Sequence, residues 1–414
     1  MTAADRREKM AAQTRAQTAA EIARAADELR GRPGYPAGLD YFLDLLASPE
    51  SGVAARTGRP AAALLCLQAP LELVHAHGLQ PYKIFGAGQA ASRLAAPSLP
   101  AVMCPMLRSA AGAAASAEAG PDFAAWILPT TCDWAVKFAG MAELCGFQIK
   151  APAHRLELPH LKDADGSQNR WREEVYSLAS FLKRVTGLRK FPLRELRRSM
   201  VLYQRANMAL AELCGLKRRG LAAPIYAQVI CHSFFRDKVE TWTRKVGEVL
   251  PGLEKSAREN SPGKTAGVYL AGSPVFFPNL KIFSLLEEAG LNPAVDDLCS
   301  SERLLPGAIP YEDGTEASLL KALAQRYHQG CTCPTFEDND RRINNILGPA
   351  QRKHVRGVVY HVLKGCHPFD LESLALEGRI KDAGLRYLRL ETDYAPEDSR
   401  AILTRLEAFR TSLG

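Results

Sequence analysis

The chain has 414 residues, 47% of them hydrophobic and 24% charged, with a formal net charge of +8. That length supports two or three domains with cores of their own, and the composition is that of an ordinary globular protein rather than a disordered or fibrous one. No stretch nears the roughly 18 consecutive apolar residues of a membrane span, and the opening residues are charged where a signal peptide has an apolar core, so a cytoplasmic location is expected.

Residues 1–57 read as an exposed amphipathic helical segment closing near Pro49. From 58 to 160, short apolar runs alternate with helical patterns, which predicts a first α/β domain with a parallel sheet. Its candidate strands are "AAALLCLQAP", "YKIFGAG", "LPAVMC" and "AAWILPTTCD". Residues 161–260 carry almost no strand signal and read as helices, from "NRWREEVYSLASFLKRV" to "FFRDKVETWTRKVGEVL", with "EKSARENSPGKT" as a polar linker. A second α/β domain occupies 261–414. Strands are expected at "AGVYLAGSP", "LNPAVDDLC", "RGVVYHVLKGC" and "LRYLRLETD", and helices at "NLKIFSLLEEAG", "EASLLKALAQRYHQG" and "RAILTRLEAFRTSL". The expected fold class is α/β: two parallel-sheet domains, flavodoxin-like or Rossmann-like, flanking a helical segment.

Two glycine motifs are read against. Gly86-Ala87-Gly88-Gln89-Ala90-Ala91 has the G-x-G-x-x-A spacing that brings amides to a pyrophosphate. A dinucleotide site also needs an acid about 20 residues on, and no acid lies between Glu72 and Glu118. The "PGKT" at 262–265 lacks the earlier glycine of a phosphate loop, with Arg258 in that place, and it precedes a strand instead of following one.

The ten cysteines fall at 66, 104, 132, 145, 214, 231, 299, 331, 333 and 366. A disulfide framework is not expected in a cytoplasmic chain of this size. Cys104, Cys132 and Cys366 each follow an apolar run and precede a helical pattern, so three thiols stand at three predicted strand-to-helix junctions in two domains. Ligands of parallel sheets gather at the carboxyl ends of strands. If the two domains face each other, the three thiolates meet between them. Helix starts favour thiolates, and thiolates hold iron–sulfur clusters. Cys66, Cys145, Cys214 and Cys231 lie on apolar patterns and are expected in the core.

The stretches "APLELVHAHGLQPY", "CPMLRSAAG", "LPTTCDW", "GSPVFFPNLKIFSLLEEAG", "DDLCSSER", "CTCPTFEDNDRR", "LKGCHPFD" and "LRLETDYAPEDSRAILTRLEAF" occur in order from about residue 60 to the end. Together they resemble the family of 2-hydroxyacyl-CoA dehydratase and benzoyl-CoA reductase subunits. The resemblance implies one [4Fe-4S] cluster held by Cys104, Cys132 and Cys366. It also implies a homologous sister subunit, an ATP-hydrolysing iron–sulfur electron donor and a CoA thioester substrate. "DLCSSERLLPGAIPYED" and "RYHQGCTCPTFEDNDRRINNIL" look most like the benzoyl-CoA reductase branch, so a ring-reducing oxidoreductase subunit is the leading expectation. A dehydratase subunit, a lyase working through a ketyl radical, is the alternative, and an electron-relay scaffold is a third. Cys299, Cys331 and Cys333 invite a double-cubane reading. Ser273 stands where that branch has a cysteine, and a further cysteine between Cys104 and Cys132 is missing.

The resemblance maps a family glutamate near the substrate entrance onto Glu72, with His75 one turn later. Both are candidate catalytic residues, although a first-turn acid and a lone histidine also suit a structural role. Arg108 and Ser109 are candidate donors to the cluster or to a thioester oxygen. Between Phe181 and Gly220 eleven Lys or Arg stand against Glu195 and Glu212. This is either a solvated helical face or a surface for phosphates. Without interleaved aromatics it does not suggest nucleic acid, and no membrane partner is expected.

Overall fold

Segments of four to seven residues, most of them apolar, form eight strands among the described residues: β1 Ala61–Leu64, β2 Gln80–Lys83, β3 Ala125–Pro129, β4 Ala153–Leu156, β5 Ala266–Gly272, β6 Leu291–Asp296, β7 Gly357–Leu363 and β8 Arg386–Thr392. The structure, a computed structural model, describes residues 3–48, 52–116, 123–147, 149–260, 265–305, 307–337, 339–351 and 355–414. The strands form two four-stranded sheets, in the orders β2-β1-β3-β4 and β6-β5-β7-β8. Every pairing is parallel. The two halves therefore share one topology. Strands β1, β2 and β7 are buried at every residue, as strands covered on both faces must be. In each sheet the order reverses between the first and third strands, β1 and β3 or β5 and β7, and ligands of such sheets sit outside that point.

Helices Ser167–Thr186, Leu193–Arg218, Pro224–Ser233 and Val239–Glu259 lie between the sheets in sequence. The last buries Val239, Trp242, Val246, Val249 and Leu253, an apolar stripe at helical spacing. One continuous core joins Ile127 of the first sheet and Leu178 and Leu210 of the helices to Leu270 of the second sheet. Two α/β domains thus flank a helical segment, and that segment is packed to both.

Four sequence expectations need correction. Residues 99–104 form turns, not a strand; Pro97 and Pro100 break the run, and proline cannot donate to a ladder. The fourth strand of the first sheet is instead β4, which the sequence reading missed. Helix Val239–Glu259 absorbs the start of the polar linker, whereas 261–264, with most of "PGKT", lie outside the described residues, as does Pro49. The opening helix, Ala3–Arg30, is mostly exposed but docks on the first domain: Ala26 and Leu29 are buried, and the Glu21 carboxylate accepts N–H bonds from Gln89 at 3.0 Å and Ala90 at 2.9 Å. Those amides lie within the glycine motif, where a pyrophosphate would need them. Gly86 itself is packed against the Met106 carbonyl. Among the described residues no helix is long and apolar enough to cross a membrane.

Candidate metal centre

Cys104, Cys132 and Cys366 each sit one residue before a helical turn: Pro105–Ser116, Asp133–Val136 and His367–Asp382. In all three the cysteine carbonyl accepts the first helical bond, from Arg108 at 3.1 Å, Val136 at 2.9 Å and Asp370 at 3.0 Å. The amides that open a helix have no intrahelical partner. Here they turn to sulfur: Met106 and Leu107 donate to Cys104, and Trp134 and Ala135 to Cys132. Cys132 follows β3 and Cys366 follows β7, so they stand at the reversal points of the two sheets. Cys104 comes from the turn that replaced the expected strand.

The three segments meet between the domains. Gly365, at φ +70°, is packed against the Val102 carbonyl, and its own carbonyl accepts the Trp134 indole N–H at 3.2 Å. Cys104 and Cys366 share an apolar cluster with Ala87, Phe276, Leu363 and Tyr394, with Trp134 and Phe85 at its edge. The Tyr394 hydroxyl donates to the Gly86 carbonyl. The Cys366 thiol donates to the Cys104 sulfur. That bond lowers the Cys104 pKa, helped by the Met106 and Leu107 amides and the Arg108 charge against the opposing effect of burial. As the donor, Cys366 is pushed well above the usual thiol range, further raised by burial and by the nearness of Cys132. Burial also raises Cys132.

Among the described residues no three His, Cys, Asp or Glu side chains are close enough to hold one metal ion. The donor chemistry suits a cluster, in which each thiolate takes a different iron and the amides compensate the charge on sulfur.

The other candidates lie elsewhere. Glu72 and His75 are buried in the short helix Leu71–Ala76. The Tyr327 hydroxyl donates to Glu72 at 2.7 Å, and burial raises the carboxyl pKa. His75 Nδ1 is 3.2 Å from the Ser199 hydroxyl, and burial pushes its pKa down to about 3. Ser109 donates to the Gly88 carbonyl at 2.8 Å, and Arg108 to the Ser92 hydroxyl at 2.8 Å. The basic stretch is not uniform: Lys217 is fully buried and pairs with Asp296 and Glu302, while Arg198 and Arg205 are exposed.

Sequence reasoning missed Trp134 and Tyr394 around the thiols, and it noted Ser273 without placing it beside Cys366. Ser273 bonds both the Leu363 amide, at 3.1 Å, and the Cys366 thiol. It also missed a cavity of about 640 Å³ lined by Cys66, Cys299, Cys331 and Cys333. Cys214 and Cys231 are core residues as expected; Cys66, at the end of β1, faces this cavity instead.

A family model described as 2-hydroxyglutaryl-CoA dehydratase, D-component, matches residues 66–413. The chain belongs to that family. Its relatives include the putative dehydratase subunit YjiM of Escherichia coli (strain K12), 24% identical over 377 residues, covering 89% of this chain and 94% of that protein. The (R)-phenyllactyl-CoA dehydratase beta subunit of Clostridium sporogenes is 21% identical, with 90% and 97% covered. The lactoyl-CoA dehydratase subunit beta of Anaerotignum propionicum is 23% identical, again with 90% and 97% covered. The dehydratase side of the expected family is thus the side these relatives represent.

Proposed function

We propose that the chain is the cluster-bearing subunit of a 2-hydroxyacyl-CoA dehydratase, working with a homologous sister subunit and an ATP-hydrolysing electron donor. The observation that carries this is the meeting of Cys104, Cys132 and Cys366, three remote thiols, the first two with amide donors on sulfur and the third bonded to Ser273, in a chain whose relatives are dehydratase subunits. A [4Fe-4S] cluster bound there supplies single electrons at low potential to a CoA thioester. The chain's own part is to hold the thiolates with helix-start amides and to keep water from them with Phe85, Trp134, Phe276 and Tyr394. Glu72 acts through Tyr327, whose hydroxyl it fixes, and His75, held neutral beside Ser199, supports helix Leu193–Arg218. The basic stretch of residues 181–220, with Arg198 and Arg205 exposed, is the proposed surface for the CoA phosphates.

The test is anaerobic co-expression with the sister subunit, followed by assays with reduced donor and ATP. Loss of water from a 2-hydroxyacyl-CoA, abolished in Cys132→Ala, is the expected result. Turnover of benzoyl-CoA instead would assign the chain to the reductase branch. A complex in which R198A/R205A leaves CoA-ester binding unchanged while the cysteine variants lose turnover would make it an electron relay. Full turnover by a cluster-free chain would refute the assignment.

A further inference from the structure

Four thiols outside that site converge on one cavity. Cys66 follows β1, Cys299 follows β6, and Cys331 and Cys333 follow helix Glu316–Gln329. All four line the same space of about 640 Å³. Five of their six pairings lie close enough for one thiol to influence the other's ionisation: 66–299, 66–331, 66–333, 299–331 and 331–333.

Cationic side chains face these sulfurs, against the effect of burial, which raises the Cys66 thiol to about 11 and lifts Cys299 and Cys333 as well. Lys83 is 5% exposed; its ammonium donates to the Ile84 carbonyl at 2.7 Å and lies 5.8 and 5.6 Å from the Phe85 and Phe276 rings. Among the described residues it has no carboxylate partner, and the ionisable groups facing it are Cys66 and Cys299. A buried ammonium is costly unless an anion meets it. Arg303, ion-paired with Asp297 at 3.0 Å, also faces Cys299 and Cys333, and Lys162 faces Cys331 and Cys333. Arg303 keeps one buried nitrogen, Nη2, with no hydrogen-bond partner among the described residues.

The Cys331-Thr332-Cys333 backbone is also clamped. Lys162 holds the Cys331 carbonyl, and Arg303 and Arg342 hold the Thr332 carbonyl at 2.5 and 3.1 Å. Backbone N–H groups two residues on point at sulfur, Gln68 at Cys66 and Thr335 at Cys333. The first site directs Met106 at Cys104 and Trp134 at Cys132 with the same spacing.

We propose that Cys66, Cys299, Cys331 and Cys333 form a second thiolate metal site, separate from Cys104, Cys132 and Cys366, that takes its own four-iron cluster. Four thiolates are a complete ligand set for such a cluster. A single ion is disfavoured, because no three of these thiols are close enough to share one. Fully ligated, this centre has no iron open to substrate. It stores or passes electrons.

The test is iron and acid-labile sulfide per chain, with EPR of the reduced form, on the full chain reconstituted anaerobically with iron and sulfide. Wild type is expected to hold about eight irons, and C331S/C333S and C104A/C132A/C366A about four each. Wild type with about four irons, all retained in C331S/C333S, overturns the proposal. Loss of all iron in C104A/C132A/C366A also overturns it, because one joint cluster would then span both sets. A single zinc or copper ion lost in C331S/C333S overturns it as well. If C104A/C132A/C366A keeps every iron of the wild type and C331S/C333S keeps none, this site stands and the first one falls. A measurement without mutations avoids misfolded variants: iodoacetamide labelling of Cys331 and Cys333, read by mass spectrometry. Labelling is expected to fall about tenfold or more on reconstitution, as metal-bound thiolates are withdrawn from alkylation. Equal labelling with and without the cluster refutes the site.

Discussion

Replacing Gly365 by alanine tests how tightly the two domains are joined at the first thiol site. At φ +70° an L side chain costs about 1–2 kcal/mol from backbone sterics alone. At Gly365 a Cβ would also collide with the Val102 carbonyl and come within 3.2 Å of the Cys104 amide. Forcing those backbones apart adds about 1–3 kcal/mol, as overpacking does. G365A is therefore expected to lose about 2–5 kcal/mol in all. Gly384 supplies the control: its φ is +76°, but nothing lies within 4 Å of its would-be Cβ, so G384A isolates the backbone component. Urea unfolding followed by circular dichroism gives both values, and the reaction rate of Cys104 with a disulfide reagent reports the seam locally. G365A should unfold earlier than G384A and expose Cys104 faster. If G365A costs no more than G384A and leaves Cys104 as protected as in wild type, the domains are not held together at this point.

Single replacements of Cys104, Cys132 or Cys366 by alanine should each release iron from the first site, whereas C214A, deep in the core, should leave the iron content unchanged; colorimetric iron assays check this. Lys217→Met leaves Asp296 and Glu302 without their buried cation and should cost about 3–5 kcal/mol, while exposed Arg198→Ala should stay within about 0.5 kcal/mol in the same urea titration. Burial depresses His75 and His232 to about 3. The unfolded chain binds their protons near 6.5, so stability is lost as pH falls from about 6.5 towards 3. H75Q should remove about 2 kcal/mol of the loss between pH 6.5 and 5, and an unchanged slope would refute the neutral-histidine reading.

Much of this architecture was legible because buried parallel strands write near-continuous apolar runs, as β1, β5 and β7 do. The misreadings have physical causes. Strand β4 carries His154 and Arg155 and has an exposed or half-exposed residue at three of its four positions, so it lacked an apolar signature. In residues 99–104 Leu99 and Met103 are buried in the first domain's core while Pro100, Ala101 and Val102 are exposed, and composition cannot tell such an apolar turn from a strand. Cys104, Cys132 and Cys366 stood out through the helix starts after them. Cys66 did not, because an apolar run hides whether its end meets a core or a cavity. Lys217 looked like part of a solvated face until its partners, far along the chain in Asp296 and Glu302, were brought beside it. Long-range ion pairs leave no local pattern.

The remoteness of the ligands has a consequence for how the protein matures. Cys104 and Cys366 belong to different halves, as do Cys66 and Cys299, and no local loop can assemble either set. Closing a long chain loop costs little more than closing a short one, since the entropy grows only with the logarithm of length, so distance along the chain is a small thermodynamic handicap. It is a large kinetic filter. A chain still emerging during synthesis, or one half of it released by proteolysis, has no complete ligand set to offer an iron donor. On the proposed ligand sets, metal loading would wait on correct docking of both halves and would then tie the N-terminal half to the C-terminal half as a cross-link does. Iron content would then report tertiary completion, and chains that fail to dock would stay apo and remain distinguishable from finished ones.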